Sequence, residues 1–132
     1  MGTKSRSIAA LEPYLLSILR IILGFTFSLH GAQKLLGAFG GKQPPAFTLS
    51  WTAGVLELVG GALIIAGLFT RPVAFILSGQ MAFAYFLVHA GRGFWPIANG
   101  GELAVVYCFA FLYLSAAGAG PLSLDRGLRK TR

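Results

Sequence analysis

The sequence is poor in charge and in cysteine. Of its 132 residues, 11% are charged and four are Asp or Glu, whereas about a quarter of the residues in a soluble domain are charged. The single cysteine, Cys108, excludes an internal disulfide, a CxxC redox pair and a zinc site built on thiolates. The basic residues form no patch interleaved with aromatic side chains, so we do not expect nucleic-acid binding. The hydrophobic share is 55% and the mean hydropathy +0.72, which indicates a membrane protein with one domain, residues 1–132.

Four apolar segments have the length of membrane-spanning helices. The first, 14–36, would be about 34 Å long as a helix, which is enough to cross a hydrocarbon core of about 30 Å. The segments 50–69, 72–90 and 99–118 are each about 19 to 20 residues long, near the minimum for a span. Only two residues separate the second segment from Pro72, so the second and third helices must form a tight hairpin. We predict an all-α membrane protein with a four-helix antiparallel bundle.

The basic residues outside the spans predict the orientation of the chain. The longer connections, 37–49 and 91–98, fall on one side of the membrane, and the short turn and both termini fall on the other. By the positive-inside rule, the more basic side is cytoplasmic, so both termini and a basic tail, 119–132, are predicted there. Trp51 and Trp95 fall on the opposite side as interface anchors, or Trp95 covers a pocket from its glycine-rich loop. The basic residues on the terminal side are Lys4, Arg6, Arg71, Arg126, Arg129, Lys130 and Arg132.

Four charged residues fall within the spans, and their charges sum to zero: Arg20, Lys34, Glu57 and Glu102. An unpaired charge at membrane depth is costly and usually faces a partner or a wet cavity. At 100° per residue, Arg20 and Lys34 share a face of the first helix with glycines, and Glu57 shares its face with Gly61. Because small residues let membrane helices approach closely, we predict that these faces turn inward and that Lys34 pairs with Glu57.

Polar residues converge by depth on the outer half of the membrane, since every span contributes at least one. Glu57 is too far along its helix to cap it and too deep to reach water easily. We therefore predict a polar intramembrane site near the outer leaflet. Its candidate residues are His30, Gln33, Lys34, Glu57, His89, Trp95 and Glu102, with Glu57 and His30 as candidate catalytic groups.

Several of these residues have a purely structural alternative. Glu102 stands three residues after Asn99, which is the spacing of a capping box. Arg20 either organises the inner part of the bundle as a buried charge or extends to cytoplasmic headgroups. His30 and His89 are also compatible with ordinary interface positions. All these alternatives stay open on the sequence alone.

The chemistry of the candidate site favours a small lipophilic ligand. His30 falls some four to five residues deeper than His89, which disfavours a bis-histidine haem, and no close-spaced motif supports a metal. A quinone would suit an apolar pocket with a few polar groups: His30 and Lys34 would donate to its carbonyl oxygens, and Glu57 would accept a proton. The alternatives are another lipophilic ligand, a noncatalytic assembly or binding module, and a transporter of lipophilic solutes.

The sequence resembles the DoxX family of small bacterial membrane proteins over most of 19–124. The resemblance lies in the order and spacing of six motifs. They are LRIILG at 19–24, HGAQKL at 30–35, ELVGG at 57–61, GLFTR at 67–71, NGGEL at 99–103 and GAGPLSLD at 118–125.

The resemblance implies a four-helix bundle in the bacterial cytoplasmic (inner) membrane, and it carries over Arg20, His30, Lys34, Glu57 and Glu102 as motif positions. Relatives in that family include a membrane subunit of a thiosulfate:quinone oxidoreductase and proteins linked to thiol and oxidative stress. It therefore implies quinone-linked redox chemistry with a redox partner protein. The expected partners are membrane lipids, a quinone and such a partner, and the many helix glycines make a homodimer reasonable.

Overall fold

The structure is a computed structural model that describes residues 7–130, and the described chain is helical without a β-strand. The segments Glu12–Leu36, Leu49–Ala66 and Thr70–Arg92 are long and apolar enough to cross a membrane, whereas Glu102–Ala117 is a shorter apolar helix. Three of the four predicted segments therefore have spanning length, and the last has 16 residues. The helices are α1 (Glu12–Leu36), α2 (Leu49–Ala66), α3 (Thr70–Ala84), α4 (Pro96–Asn99), α5 (Glu102–Ala117) and α6 (Leu124–Lys130).

Helices α1 and α2 pack closely along the glycine faces that the sequence predicted. A Cβ on Gly24 would lie 2.8 Å from the carbonyl oxygen of Gly61, and one on Gly31 would lie 2.8 Å from that of Gly54. Real Cβ atoms do not approach backbone so closely, so only glycine permits this separation of the two helices. The buried residues are Ser17, Arg20, Gly24, Phe27 and Gly31 on α1, and Gly54, Glu57, Gly60, Gly61 and Ile64 on α2.

Helix α5 completes the core from the other side. Phe27 of α1 meets Tyr107 and Phe111 of α5 edge to face, with ring centroids 5.1 and 4.9 Å apart. Leu77 of α3 is buried in the same cluster, and so is Leu114 of α5. Aromatic pairs of this geometry stabilise a core beyond the area that they bury. One apolar core therefore joins α1, α3 and α5 with Ile64 of α2, and α2 also packs on α1 and α3.

The long connection after α3 differs from the prediction. The chain continues α3 as a π-helical turn, Tyr85–His89, and a 3-10 turn, Ala90–Arg92, before α4. Asn99 ends α4 and does not begin the last long helix, which starts at Glu102. The Asn99 side chain donates to the Tyr85 hydroxyl and to the carbonyl of Gly93, and it accepts from the amide of Gly101. These bonds fix the connection and leave Asn99 unable to cap α5.

The segment after α5 is folded, although the sequence predicted a cytoplasmic tail from 119. Ala119 is buried, and its carbonyl oxygen accepts hydrogen bonds from Ser17 and Arg20 of α1. The amide of Asp125 donates to the carbonyl of Gly67 in the α2–α3 turn. The first turns of α1, the α2–α3 turn and the C-terminal segment thus lie at one end of the molecule, which we call the termini end; the opposite end is the long-loop end. Lys4, Arg6 and Arg132, which were part of the orientation argument, lie outside the described residues.

Candidate ligand-binding site

The predicted pair of embedded charges is present. Lys34 Nζ donates to Glu57 Oε1 at 2.7 Å, and the Glu57 side chain is only 4% exposed. Lys34 lies in the last turn of α1, and Gly54 of α2 leaves room for its stem, since a Cβ there would be 2.9 Å from Lys34 Cβ. The ion pair neutralises a carboxylate that would otherwise be buried alone, which is costly at membrane depth.

Gln80 of α3 is a third member of this group, and the sequence analysis missed it. Its Nε2 donates to the carbonyl of Ala53 at 3.3 Å and lies 3.5 Å from Glu57 Oε1. The signal was the one amide side chain of the third span, but only the packing of α3 on α2 shows where it points. Two buried oxygens, Glu57 Oε2 and Gln80 Oε1, have no hydrogen-bond partner among residues 7–130.

Lys34, Glu57 and Gln80 line a cavity of about 630 Å³ between α2 and α3. We call it the Glu57 cavity. Gly79 also lines it, and a Cβ on Gly79 would meet no atom within 4 Å. The remaining walls are mainly apolar side chains that are exposed on the surface of the molecule and would face hydrocarbon in a membrane. They include Leu56, Ile76, Phe83, Leu87 and Val88.

His30 and Gln33 line a different cavity, of about 570 Å³, together with Tyr107 of α5. The rings of His30 and Tyr107 have centroids 6.2 Å apart and stand nearly perpendicular. The structure therefore places His30 and Glu57 at different cavities and does not bring them together in one site. The helix α1 contacts α2 through Gly31 and α5 through Phe27, and His30 lies on the α5 side. Depth along a helix, which the sequence predicted, does not determine which neighbour a side chain faces.

His89, Trp95 and Glu102 also lie outside the Glu57 cavity. His89 Nδ1 is 3.3 Å from the carbonyl oxygen of Asn99, within the long-loop end. Trp95 is 69% exposed and contacts Phe94, and it does not line the Glu57 cavity. Across residues 7–130, no group of three His, Cys, Asp or Glu side chains is placed to hold a metal ion.

Glu102 is exposed at the first position of α5, so the predicted capping box is absent. The residue that precedes the helix is Gly101, which has no side chain, and the helix has no side-chain cap. A carboxylate in the first turn still interacts favourably with the helix dipole. Glu102 therefore stands at the start of the last long helix, as the capping-box alternative predicted, but the hydrogen bonds of a capping box are absent there.

Arg20 is fully buried at the termini end and does not extend to headgroups. Its guanidinium donates to three backbone carbonyls, those of Ala119, Leu122 and Ile65, the last two at 2.7 and 3.3 Å. Of the four embedded charges, Lys34 and Glu57 form an ion pair. Arg20 instead donates to backbone carbonyls, and Glu102 is exposed at the start of α5. Arg20 therefore holds the C-terminal segment against α1 and α2.

Three apolar helices of spanning length, the first two joined by a partly buried ion pair, are the mark of an integral membrane protein. The sequence profile of the DoxX family matches residues 15–90, and the chain belongs to that family. It is 50% identical over 121 residues to an uncharacterized protein of Haemophilus influenzae, covering 86% of this chain and 90% of that one. It is also 30% identical to the inner membrane protein YphA of Escherichia coli, over 89% and 92% of the two chains. The family and these relatives locate it in the bacterial inner membrane.

A more distant relative carries a functional name. The putative oxidoreductase CatD of Bacillus subtilis is 28% identical over 114 residues, which cover 82% of each chain. No solved structure matches the fold.

Proposed function

We propose that the protein binds a quinone and its reduced form, the quinol, in the Glu57 cavity and serves as a membrane subunit of a quinone-linked redox system. The observation that carries the proposal is the pair of buried, unpartnered oxygens, Glu57 Oε2 and Gln80 Oε1, on two residues that line an apolar cavity. An unsatisfied buried acceptor costs free energy. A ligand with hydroxyl donors and an apolar body would donate hydrogen bonds to these oxygens and fill the apolar cavity.

The polar groups of the cavity fit both redox forms. A quinol hydroxyl would donate to Glu57 Oε2, and Lys34 Nζ and Gln80 Nε2 supply N–H donors for a quinone carbonyl. Oxidation of a quinol releases two protons and two electrons; Glu57 would accept one proton, and the other would pass to water at the membrane surface. Both electrons would pass to a redox partner protein, which is the oxidant in this proposal. His30 is not part of this site, since it lines the other cavity.

The proposal includes a membrane arrangement. In it, α5 crosses the membrane beside the three longer helices, giving an antiparallel four-helix bundle with both termini in the cytoplasm. The support is that α5 packs against α1 and α3 in one core and that the termini end carries most of the basic residues. The putative oxidoreductase CatD among the relatives favours redox chemistry over simple ligand storage.

The test is quinone binding by the purified protein in mild detergent. Wild type should bind a menaquinone or ubiquinone analogue, and Glu57→Gln should bind the quinol at least about tenfold more weakly because a charge-assisted hydrogen bond is lost. Glu102→Gln is the matched control, since it makes the same change at an exposed position. Equal affinity in wild type and Glu57→Gln, or equal losses in both variants, would overturn the proposal.

A second candidate is a noncatalytic assembly module, favoured by the ion pair that joins α1 to α2. In that case Lys34 and Glu57 fix the register of two helices and bind nothing. Glu57→Gln would then lower the yield of folded protein, while the folded fraction and wild type would show the same absence of quinone binding.

A further inference from the structure

A third cavity lies at the termini end and shares no lining residue with the Glu57 cavity. It has a volume of about 800 Å³ and is bounded by the α2–α3 turn, the segment after α5 and helix α6. Four of the side chains that line it are cationic: Arg71 from the turn, and Arg126, Arg129 and Lys130 from α6. We call it the basic cavity. No step of the proposed quinone chemistry uses these residues.

Arg71 is held in place by backbone. Its Nη1 donates to the carbonyl oxygen of Ala116, and its guanidinium lies against Gly118, where a Cβ would be 3.1 Å from Nη2. Gly118 has φ +82, a conformation that also favours glycine. The basic cavity is therefore lined by an exposed guanidinium that a backbone hydrogen bond orients, and its other N–H donors suit a phosphate.

The carboxylate in the cavity does not cancel this charge. Asp125 Oδ1 accepts from the amide of Phe69 and Oδ2 from the amide of Thr70, at 2.8 and 3.0 Å. Both oxygens thus accept hydrogen bonds from amides at the start of α3. The cavity is lined by four cations and one carboxylate, an excess of three positive charges. Such an excess attracts an anion of more than one negative oxygen.

The walls also offer apolar surface. Phe69 and Leu128 line the cavity and are 61% and 53% exposed, beside Pro72 and Pro121. A soluble anion would gain nothing from these side chains, whereas the glycerol and first methylenes of a phospholipid would cover them. The α6 helix combines three basic residues with exposed Leu124 and Leu128, which is typical of a helix at a membrane surface.

From this arrangement we infer that the basic cavity binds the headgroup of an anionic phospholipid. The phosphate contacts Arg71, and Arg126, Arg129 and Lys130 surround it. Phe69 and Leu128 contact the top of the acyl chains. The lipid lies on the termini side of the membrane and holds α6 against its surface.

The experiment is lipid binding by native mass spectrometry of the full chain in detergent. Phosphatidylglycerol and phosphatidylcholine with the same acyl chains are titrated separately. We expect phosphatidylglycerol to bind at least about tenfold more tightly, and Arg126→Gln, Arg129→Gln or Lys130→Gln each to weaken it about fivefold, since a basic residue near a membrane surface contributes on that scale. Arg71→Gln should weaken it further. Lys42→Gln and Arg92→Gln, at exposed positions of the long-loop end, should leave the affinity unchanged.

Three results of this experiment would contradict lipid binding in the basic cavity. Equal affinity for the two lipids, or equal weakening by Lys42→Gln and the α6 variants, would overturn the proposal. Displacement of phosphatidylglycerol by inorganic phosphate or polyglutamate at the same charge concentration would also overturn it, because the occupant would then be a soluble anion. The α6 side chains are exposed, so their substitution leaves the fold intact even where Arg71→Gln does not. Quinone binding is measured independently, so either proposal can fail alone.

Discussion

Asp125 caps helix α3 from 55 residues away in the sequence. Its carboxylate accepts hydrogen bonds from the amides of Thr70 and Phe69, at 3.0 and 2.8 Å, where the first turn of α3 has no partner of its own. Phe69, which precedes the helix, has a left-handed backbone conformation and provides no side-chain cap. The C-terminal segment thus supplies the cap that a local Ser, Thr or Asp provides in most helices.

Removal of this cap should destabilise the termini end. We expect Asp125→Ala to lower the free energy of unfolding by about 1 kcal/mol, as for the loss of other N-terminal caps. Thermal unfolding in detergent measures the change, with Glu12→Ala as a control that removes an exposed carboxylate from the start of α1. Equal effects of the two substitutions would show that charge, and not the cap, is responsible.

The same cap predicts a dependence on pH. Burial acts to raise the pKa of Asp125, but the amide hydrogen bonds from Thr70 and Phe69 and the charge of Arg129 outweigh it and hold the pKa below its ordinary value of 3.8. A lowered pKa in the folded state means that the stabilisation is complete above the ordinary pKa and is lost as pH falls through the folded one. Unfolding temperatures measured between pH 6 and pH 3 should therefore fall more steeply for wild type than for Asp125→Asn.

The sequence predicted the faces of α1 and α2 well because their packing is dominated by a local pattern. Glycines at helical spacing show where two membrane helices approach, and Lys34 and Glu57 follow from the same faces. It could not predict that His30 turns toward α5, because a helix with two neighbours has two inward directions. The roles of Asp125 and of the carbonyls around Arg20 depend on how the segment after α5 folds back, and no local pattern encodes that contact.

The space around Gly31 of α1 and Gly79 of α3 predicts different effects of the same substitution. A Cβ on Gly31 would overlap the backbone of Leu58 and lie 2.8 Å from the carbonyl of Gly54. Gly31→Ala should therefore destabilise the protein by about 1 to 3 kcal/mol, the usual cost of overpacking. Gly79→Ala enters open space and should be neutral or stabilising by up to about 1 kcal/mol, because alanine favours a helix more than glycine does. Detergent-resistance assays on both variants compare them directly.

Substitution of Arg20 should lower the free energy of unfolding more than the other substitutions proposed above. Arg20→Met would leave the carbonyl of buried Ala119 unsatisfied and remove the part-buried bonds to Leu122 and Ile65, at a cost of about 3 kcal/mol. Arg20→Lys keeps the charge but cannot reach Ala119, Leu122 and Ile65 together, and should recover only part of the stability. Limited proteolysis should cut between Gly118 and Leu124 faster in both variants. Unchanged cleavage there would show that Arg20 does not hold this segment.

Gly79 offers a test of the Glu57 cavity that leaves its polar groups intact. Gly79→Leu would project a side chain into space where no atom lies within 4 Å of a Cβ, and the ion pair of Lys34 and Glu57 would remain. We expect quinone affinity to fall at least about tenfold, since filling the cavity excludes the ring, while the protein folds as wild type does. Gly127→Leu is the matched control, because Gly127 also lies on a helix with open space at its Cβ but on α6. If Gly79→Leu binds quinone as tightly as Gly127→Leu, the ligand does not occupy this cavity, whatever the effect of Glu57→Gln.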